Sequence, residues 1–298
     1  MPSFRALQRA NQRKTIALLL GLALLIWLIS YSAMTYFGGQ GIGIIPIAVA
    51  ISLISVWGSY YASDKLVLKM TGAKVIAESD NPKLFNLVSE VCIASGAPMP
   101  KVAIVIDPAP NAFATGRDPE HALIAFTTGI LEVMDRDELQ GVIAHEMAHV
   151  LNRDTLVSAV AATSAGAIAL MSDFLMRMLW FGGRRDRGNS NPILILLSLV
   201  VILLAPIAAL LIKAAISRKR ESLADASAVE YTRNPTGLRK ALEVLARDST
   251  VVATKSTAVA HIWIESPLDG KAVSQLFSTH PPIQERIATL RRLEAGGS

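Results

Sequence analysis

His145 and His149 stand four residues apart in Gly141-Val-Ile-Ala-His-Glu-Met-Ala-His-Val-Leu-Asn-Arg-Asp154, and Glu146 directly follows the first. On a helix, residues four apart share a face, so both imidazoles can reach one point in space. Two histidines one turn apart can bind a single Zn²⁺. A carboxylate beside the first can take a proton from a water that the metal activates. The residues around them, among them Val142, Ile143, Met147 and Val150, are apolar, as on a buried helix. Burying two imidazoles and a carboxylate unpaired there would cost several kcal/mol. A metal ion removes that cost.

H-E-x-x-H also arises by chance, so the pentapeptide alone decides nothing. The chain has five histidines, however, and two of them fall here. A candidate third ligand lies downstream, in Ser217-Arg-Lys-Arg-Glu221-Ser-Leu-Ala-Asp225. On a helix Glu221 and Asp225 share a face. One carboxylate would complete the metal's protein ligands, and the other would accept a ring N–H of a zinc histidine and fix its tautomer. Taken alone, the same segment reads rather as a solvated face on which Arg218, Lys219 and Arg220 pair with the acids; beside the first motif the balance reverses. The variant motif with Gly and His three and six places after the second histidine is excluded, because those positions hold Asn152 and Thr155. Glu221 is therefore the favoured third ligand.

The elements that must position these residues follow from their flanks. Asp135 and Glu138 form a capping box, which predicts a helix starting just before Leu139. Asn81-Pro82 opens a helix that runs to about Ser95 and is closed by Gly96. Lys101–Ile106, Asn111–Gly116 and His121–Thr128 read as short strands, the last two separated by a Gly-Arg-Asp-Pro turn. His121, at that turn, is assigned to the surface. Asn234-Pro235 opens a helix to about Arg247, and Ser278-Thr-His280-Pro-Pro opens another over Ile283–Leu293. Between them lies a Ser/Thr/Gly-bearing segment with His261-Ile-Trp-Ile264. A small sheet with helices around it is an α+β domain.

The remainder of the 298 residues is unlike a soluble enzyme. The composition is 52% hydrophobic and 18% charged, and the mean hydropathy is +0.42. A net charge of +5 and a pI of about 9.4 fit nucleic acid or an anionic membrane surface. The aromatic-plus-basic pattern of an RNA-binding module is absent, so a membrane is expected and nucleic acid is not. Cys92, the one cysteine, can form no internal disulfide; between Val91 and Ile93 it reads as a small buried hydrophobe.

Thr15 to Ser63 carries no charge, and Gly38-Gly-Gln-Gly41 divides it into two runs, each near the ~20 residues of a spanning helix. Arg5, Arg9, Arg13 and Lys14 precede the pair, and Lys65, Lys69 and Lys74 follow it, which places both ends in the cytoplasm. Leu156–Ser172 is a third apolar run, interrupted afterwards by Asp173 and Arg177. After a polar loop over residues 182–191, Pro192–Ile212 is a fourth. These two runs are expected to form a hairpin, because His149 and Glu221 must reach one metal. Arg184, Arg185 and Arg187 would then face outward, against the usual charge rule. The expected organisation is a transmembrane pair over 1–63, a first protease segment over 64–155, a membrane hairpin over 156–213 and a second protease segment over 214–298.

Taken together, Asn111-Ala-Phe-Ala-Thr-Gly, His145-Glu-Met-Ala-His-Val-Leu-Asn-Arg-Asp, Ser217-Arg-Lys-Arg-Glu-Ser-Leu-Ala-Asp and Ser278-Thr-His-Pro-Pro-Ile resemble the HtpX family. These are membrane-embedded zinc metalloproteases of prokaryotes, related to the CAAX-prenyl endopeptidases. The resemblance covers nearly the whole chain. It implies a mainly α membrane protein of four apolar helical runs with a cytoplasmic α+β, gluzincin-type metalloprotease domain. It further implies one Zn²⁺ held by His145, His149 and Glu221, with Glu146 as general base and Asp225 as the second acid. The implied activity is cleavage of misfolded or damaged membrane proteins at the cytoplasmic face of the inner membrane, under stress. Its partners would be unfolded polypeptides and the lipid bilayer. The Arg-bearing loop after Phe181 departs from the family's pattern.

Two further site assignments stay open on the sequence. His280 is the candidate donor to the oxyanion, or else a loop histidine capping the last helix. Asn111, Ala112, Phe113 and Ala114 belong either to an exposed edge strand to which an extended substrate adds, or to an ordinary core strand. Two other functions compete. One is a CAAX-type processing peptidase acting on a lipidated substrate. The other is a membrane scaffold or chaperone with a structural zinc, which would normally be closed by four protein ligands and would leave Glu146 without a purpose.

Overall fold

Asn81 and Gly96 bound the first helix of the sheet-bearing unit as their types dictate. The Asn81 side chain accepts a hydrogen bond from the Leu84 N–H, Pro82 occupies the first turn, and Gly96 closes the helix in the left-handed region at φ 71°. The computed structural model describes residues 43–155, 220–248, 250, 252, 263–264 and 282–296, with single positions between 13 and 34. The chain divides into two units, Met1–Tyr61 with Val160–Lys213, and Ala62–Ala159 with Ala214–Ser298. In chain order the described elements are α1 (Ile44–Thr71), β1 (Lys74–Val75), α2 (Pro82–Ser95), β2 (Lys101–Val105), β3 (Ala112–Thr115) and β4 (Leu123–Thr127). Then come α3 (Thr128–Val133), α4 (Arg136–Leu151), a helix that includes residues 220–232 (α5), α6 (Pro235–Arg247) and α7 (Ile283–Glu294).

The four strands lie in the order β1-β2-β4-β3. β2 and β4 are parallel, while β1 and β3 join antiparallel at the two edges. Both faces of the sheet are covered, and the two-residue alternation of strand side chains divides them. Val102, Ala112, Ala114, Ile124 and Phe126 face a large core shared with α2, α4, α6 and α7. Ala103, Val105, Phe113, Leu123 and Ala125 face a smaller one with Val67 of α1 and Trp263. Phe113 and Trp263 meet edge to face, with ring centroids 4.8 Å apart. Cys92 is buried in the large core, as its neighbours predict.

Helix α4 begins at Arg136. The Asp135 carboxylate accepts from the Glu138 N–H at 2.9 Å, and the Glu138 carboxylate accepts from the Asp135 N–H at 3.0 Å. The reciprocal cap predicted from the sequence is thus in place. About a third of the way along, α4 crosses α6 at glycines. A Cβ on Gly141 would lie 2.6 Å from the Leu238 backbone nitrogen, and one on Gly237 would lie 2.5 Å from the Asp137 carbonyl oxygen. Only hydrogen fits at either position, so the two backbones touch.

Several expectations need correcting. The strand expected over Lys101–Ile106 ends at Val105, and Ile106 is exposed. His121 closes a short 3₁₀ turn, Pro119–His121, before β4 starts at Leu123. It is exposed, with Nδ1 2.6 Å from Asp118, so its surface assignment stands. Thr127 ends β4 and caps α3, a helix not expected from the sequence, whose first residue, Thr128, was assigned to the strand. The two-residue β1 was also missed.

Among the described residues no helix is long and apolar enough to cross a membrane. The second apolar run does lie within one continuous helix, α1, on which Ile47, Leu53 and Ile54 are exposed. The first run is described only at scattered positions. The third and fourth runs, the loop over 182–191, residues 217–219, His261 and His280 lie outside the described residues.

Candidate metal centre

Helix α4 presents His145 and His149 on one face, and α5 brings Glu221 against them. The two Nε2 atoms are 3.2 Å apart. His145 Nε2 is 3.4 Å from Glu221 Oε2, and His149 Nε2 is 3.4 Å from Glu221 Oε1. One ligand atom from each residue lies within 4.8 Å of the others. The rings stand almost perpendicular, at 87°, with centroids 4.7 Å apart. Glu146, on the same helix, is buried beside them.

The other edge of each ring explains why these atoms converge. His145 Nδ1 is 2.9 Å from Asp225 Oδ1, and His149 Nδ1 is 3.2 Å from Asp154 Oδ2. A carboxylate can only accept, so each Nδ1 carries the hydrogen and each Nε2 turns a lone pair inward. Two ring nitrogens and a carboxylate then face one another in a buried space, an arrangement that positive charge stabilises; the Arg286 guanidinium reaches its edge, with Nη2 3.3 Å from His145 Nε2 and Nη1 3.6 Å from Glu221 Oε2. The charges agree. Among the described residues, Glu146, Asp154, Glu221 and Asp225 are buried with Arg220 and Arg286, a formal excess of two negative charges that one divalent ion would offset. The residues therefore fit a metal ion.

The titration of these groups reflects the same field. Burial is the largest influence on both histidines and works against charging them. The carboxylates outweigh it, lifting His145 above its ordinary value and His149 well above. The two rings differ in one respect, because the Arg286 guanidinium beside His145 opposes its protonation. For Asp225, burial pushes upward but is overcome by the Arg286 charge and by hydrogen bonds from His145 and Arg286, and its pKa falls to about 2. Arg286 itself is pushed up, against its burial, by Asp225, then Glu221 and Glu146.

Sequence reasoning put Asp225 beside a histidine, and the structure brings it to His145. It did not single out Asp154, Arg220 or Arg286. Arg286 comes from α7 and forks onto Asp225, with Nε 2.9 Å from Oδ2 and Nη2 2.7 Å from Oδ1. Arg220 was read with Arg218 and Lys219 as part of a solvated face. It is buried, and its Nη1 lies 3.3 Å from Asp154 Oδ1. The signal available for Asp154 was chemical: the second histidine, like the first, needs an acceptor for its Nδ1–H, and Asp154 is the nearest acid downstream of it.

β3 is an edge strand by position, yet all four of its residues are buried. The Thr127 N–H donates to the Asn111 carbonyl, so in the antiparallel register Asn111, Phe113 and Thr115 turn their backbone groups toward β4. Ala112 and Ala114 turn theirs to the outer edge. There the Ile264 N–H donates to the Ala112 carbonyl at 2.9 Å, and the Ala112 N–H donates to the Asn111 side chain at 3.0 Å. Of the expected edge, Ala114 presents the N–H and C=O that lie beyond these two bonds.

Comparison with known proteins places this geometry. The profile of Peptidase family M48 matches residues 78–294. A "Protease HtpX homolog" of Caldanaerobacter subterraneus subsp. tengcongensis is 45% identical over 292 residues, covering 96% of this chain and 97% of its own. One from Streptococcus gordonii is 40% identical over 290 residues, covering 95% and 98%. One from Tropheryma whipplei is 47% identical over 234 residues, covering 78% and 80%. Among solved structures, that of S. mikatae Ste24p matches with a TM-score of 0.48 and 17% identity over 94% of this chain and 65% of that one.

Proposed function

Since this chain belongs to peptidase family M48 and is a metalloendopeptidase, we propose that it is a zinc-dependent protease of the HtpX type, acting on misfolded or damaged membrane proteins at the cytoplasmic face of the membrane. His145, His149 and Glu221 hold the ion. The observation that carries this reading is the pair of inward-facing Nε2 atoms, each fixed by a carboxylate on its far nitrogen. Zinc, when bound, supplies Lewis acidity that activates a water and polarises the scissile carbonyl. Glu146 takes the proton of the attacking water and later gives it to the leaving amine. Asp225 and Arg286 hold His145 in its tautomer. The substrate lies extended along β3 and pairs with the Ala114 backbone, which reads main chain and not side chains. Little sequence preference suits a protease that clears unfolded chains.

Membrane attachment is supported by the uncharged stretch from Thr15 to Ser63 and by the exposed isoleucines of α1. The chemistry is tested with detergent-solubilised full-length protein, by measuring zinc content and casein cleavage with and without chelator. Zinc near one per chain and chelator-sensitive cleavage are expected; cleavage by metal-free protein would sink the reading. Topology is tested with single cysteines at Ser190 and Ser222 in a Cys92→Ala background, using a membrane-impermeant thiol reagent on intact cells. Ser222 is exposed, as a reporter of reagent access must be. Labelling at 190 and protection at 222 are expected from a hairpin between them.

A further inference from the structure

The loop that leaves α4 is bent by an uncommon backbone. Asn152 caps the helix in a right-handed conformation, and Arg153 then adopts φ 59°, a region that residues with a side chain rarely enter. This reversal returns the chain, so that Asp154, only five residues past His149, reaches the Nδ1 of that ring. An isolated left-handed residue costs on the order of 1 kcal/mol and persists where its surroundings require it.

What the reversal delivers is a carboxylate whose two oxygens have separate tasks. Oδ2 meets the His149 ring at 3.2 Å, and Oδ1 lies 3.3 Å from Arg220 Nη1. Asp154 and Arg220 are both buried. A buried carboxylate with one partner would be poorly compensated, and the guanidinium supplies the second. Arg220 directly precedes Glu221, so one stretch of α5 carries both the third ligand and the group that anchors the second ligand's support. His149 is also the less enclosed histidine, its side chain 15% exposed against 1% for His145. Packing alone fixes it less than its neighbour.

We propose that Asp154, anchored by Arg220, is a positioning residue that sets the metal affinity of the centre through the His149 ring. The inference rests on the metal reading above and adds to it a second support, built from different elements than the Asp225–Arg286 pair. Removing the carboxylate frees the ring to rotate and to exchange tautomers, which takes its Nε2 lone pair off the other two ligands. Removing the guanidinium has the same result by one more step, because Asp154 then has no fixed place.

The test is the dissociation constant for Zn²⁺ of the full-length protein in detergent, measured by competition with a chromophoric chelator, together with the d–d absorption of the Co²⁺-loaded protein. Asp154→Asn is expected to weaken Zn²⁺ binding about 10–100-fold and to change the Co²⁺ spectrum. Arg220→Met should weaken it less, and Arg220→Lys, which keeps the charge without the planar fork, less again. In the double variant Asp154→Asn/Arg220→Met the Arg220 change should add little, since it acts through a group already gone. Wild-type affinity and spectrum in Asp154→Asn overturn the proposal, as does full additivity of the two changes. If Asp154→Asn does not fold, Arg220→Lys decides alone: unchanged affinity and spectrum overturn the proposal. Glu221→Ala separates the two readings. Should wild type and Glu221→Ala bind Zn²⁺ equally, the metal centre itself is wrong; should Glu221→Ala lose it while Asp154→Asn keeps wild-type affinity, the centre stands and the Asp154 proposal falls.

Discussion

Two networks of arginines and carboxylates in this protein have nearly the same bond lengths and opposite consequences. In the buried one, Arg286 reaches Asp225 at 2.7 Å with both side chains nearly inaccessible to water. In the outer one, between α6 and α7, Arg239 reaches Glu294 at 2.7 Å and Glu243 at 2.8 Å, and Arg291 reaches Glu243 at 2.7 Å. The outer groups remain partly exposed, Arg291 largely so. Water and salt screen these pairs, and each is worth about 1 kcal/mol or less. The buried groups have no such refuge, so losing one partner strands a charge. Distance alone does not rank an ion pair; what surrounds it does.

The comparison can be broken or sharpened by substitution. The largest effect is expected from Glu146→Gln, which withdraws a carboxylate from the buried set and removes the base. Proteolysis should fall about 10²–10⁴-fold while zinc stays bound, checked by casein turnover and metal analysis on one sample. Substantial turnover in the zinc-loaded variant would refute the assigned role. Next, Arg286→Met should cost roughly 3–5 kcal/mol of stability, read as a lowered denaturant midpoint. A loss no greater than that of an exposed arginine would erase the distinction between the networks.

Gly141→Ala leaves every charge in place but wedges α4 away from α6, and overpacking of this kind costs about 1–3 kcal/mol. Zinc affinity should fall with it if the buried network depends on where α4 sits. Acid then separates the networks by their titration. Asp225 has a folded pKa of about 2, below its ordinary 3.8. Its contribution is therefore complete above pH 3.8 and is lost as pH falls toward 2. Metal-free wild type should lose that increment over this window, and Asp225→Asn should not, as measured by urea unfolding at successive pH values. The smallest effect is expected for Arg239→Ala, about 1 kcal/mol or less, and it should vanish in high salt. A salt-independent loss of several kcal/mol would show that the outer network is not screened.

The division between legible and illegible follows the same line. That His145 and His149 share one helix face, and Glu221 and Asp225 another, could be read because spacing on a helix is local, as could the Asp135–Glu138 cap and the Asn81–Gly96 helix. Arg286 could not. It sits in Gln-Glu-Arg-Ile, a charged stretch of an amphipathic helix, and only the packing of α7 against α4 and α5 makes it a buried counter-ion. Arg220 misled for the same reason, since a run of three basic residues resembles a solvated face until one is found turned inward. β1 and α3 were missed because two and six residues give too few periods to detect. β3 was located, but its burial depends on Trp263 and Ile264, far away in sequence.

The Asp154–Arg220 bond joins residues separated by 66 positions in the chain. A contact between residues so far apart in sequence stabilises the chain only after the entropy of bringing its two ends together has been lost. Arg220 and Glu221 are neighbours, so a single such closure brings both of them to the helix that carries His145 and His149. α4 and α5 are each local and can form early, whereas their meeting is expected late in folding, when most of the surrounding core already holds them in place.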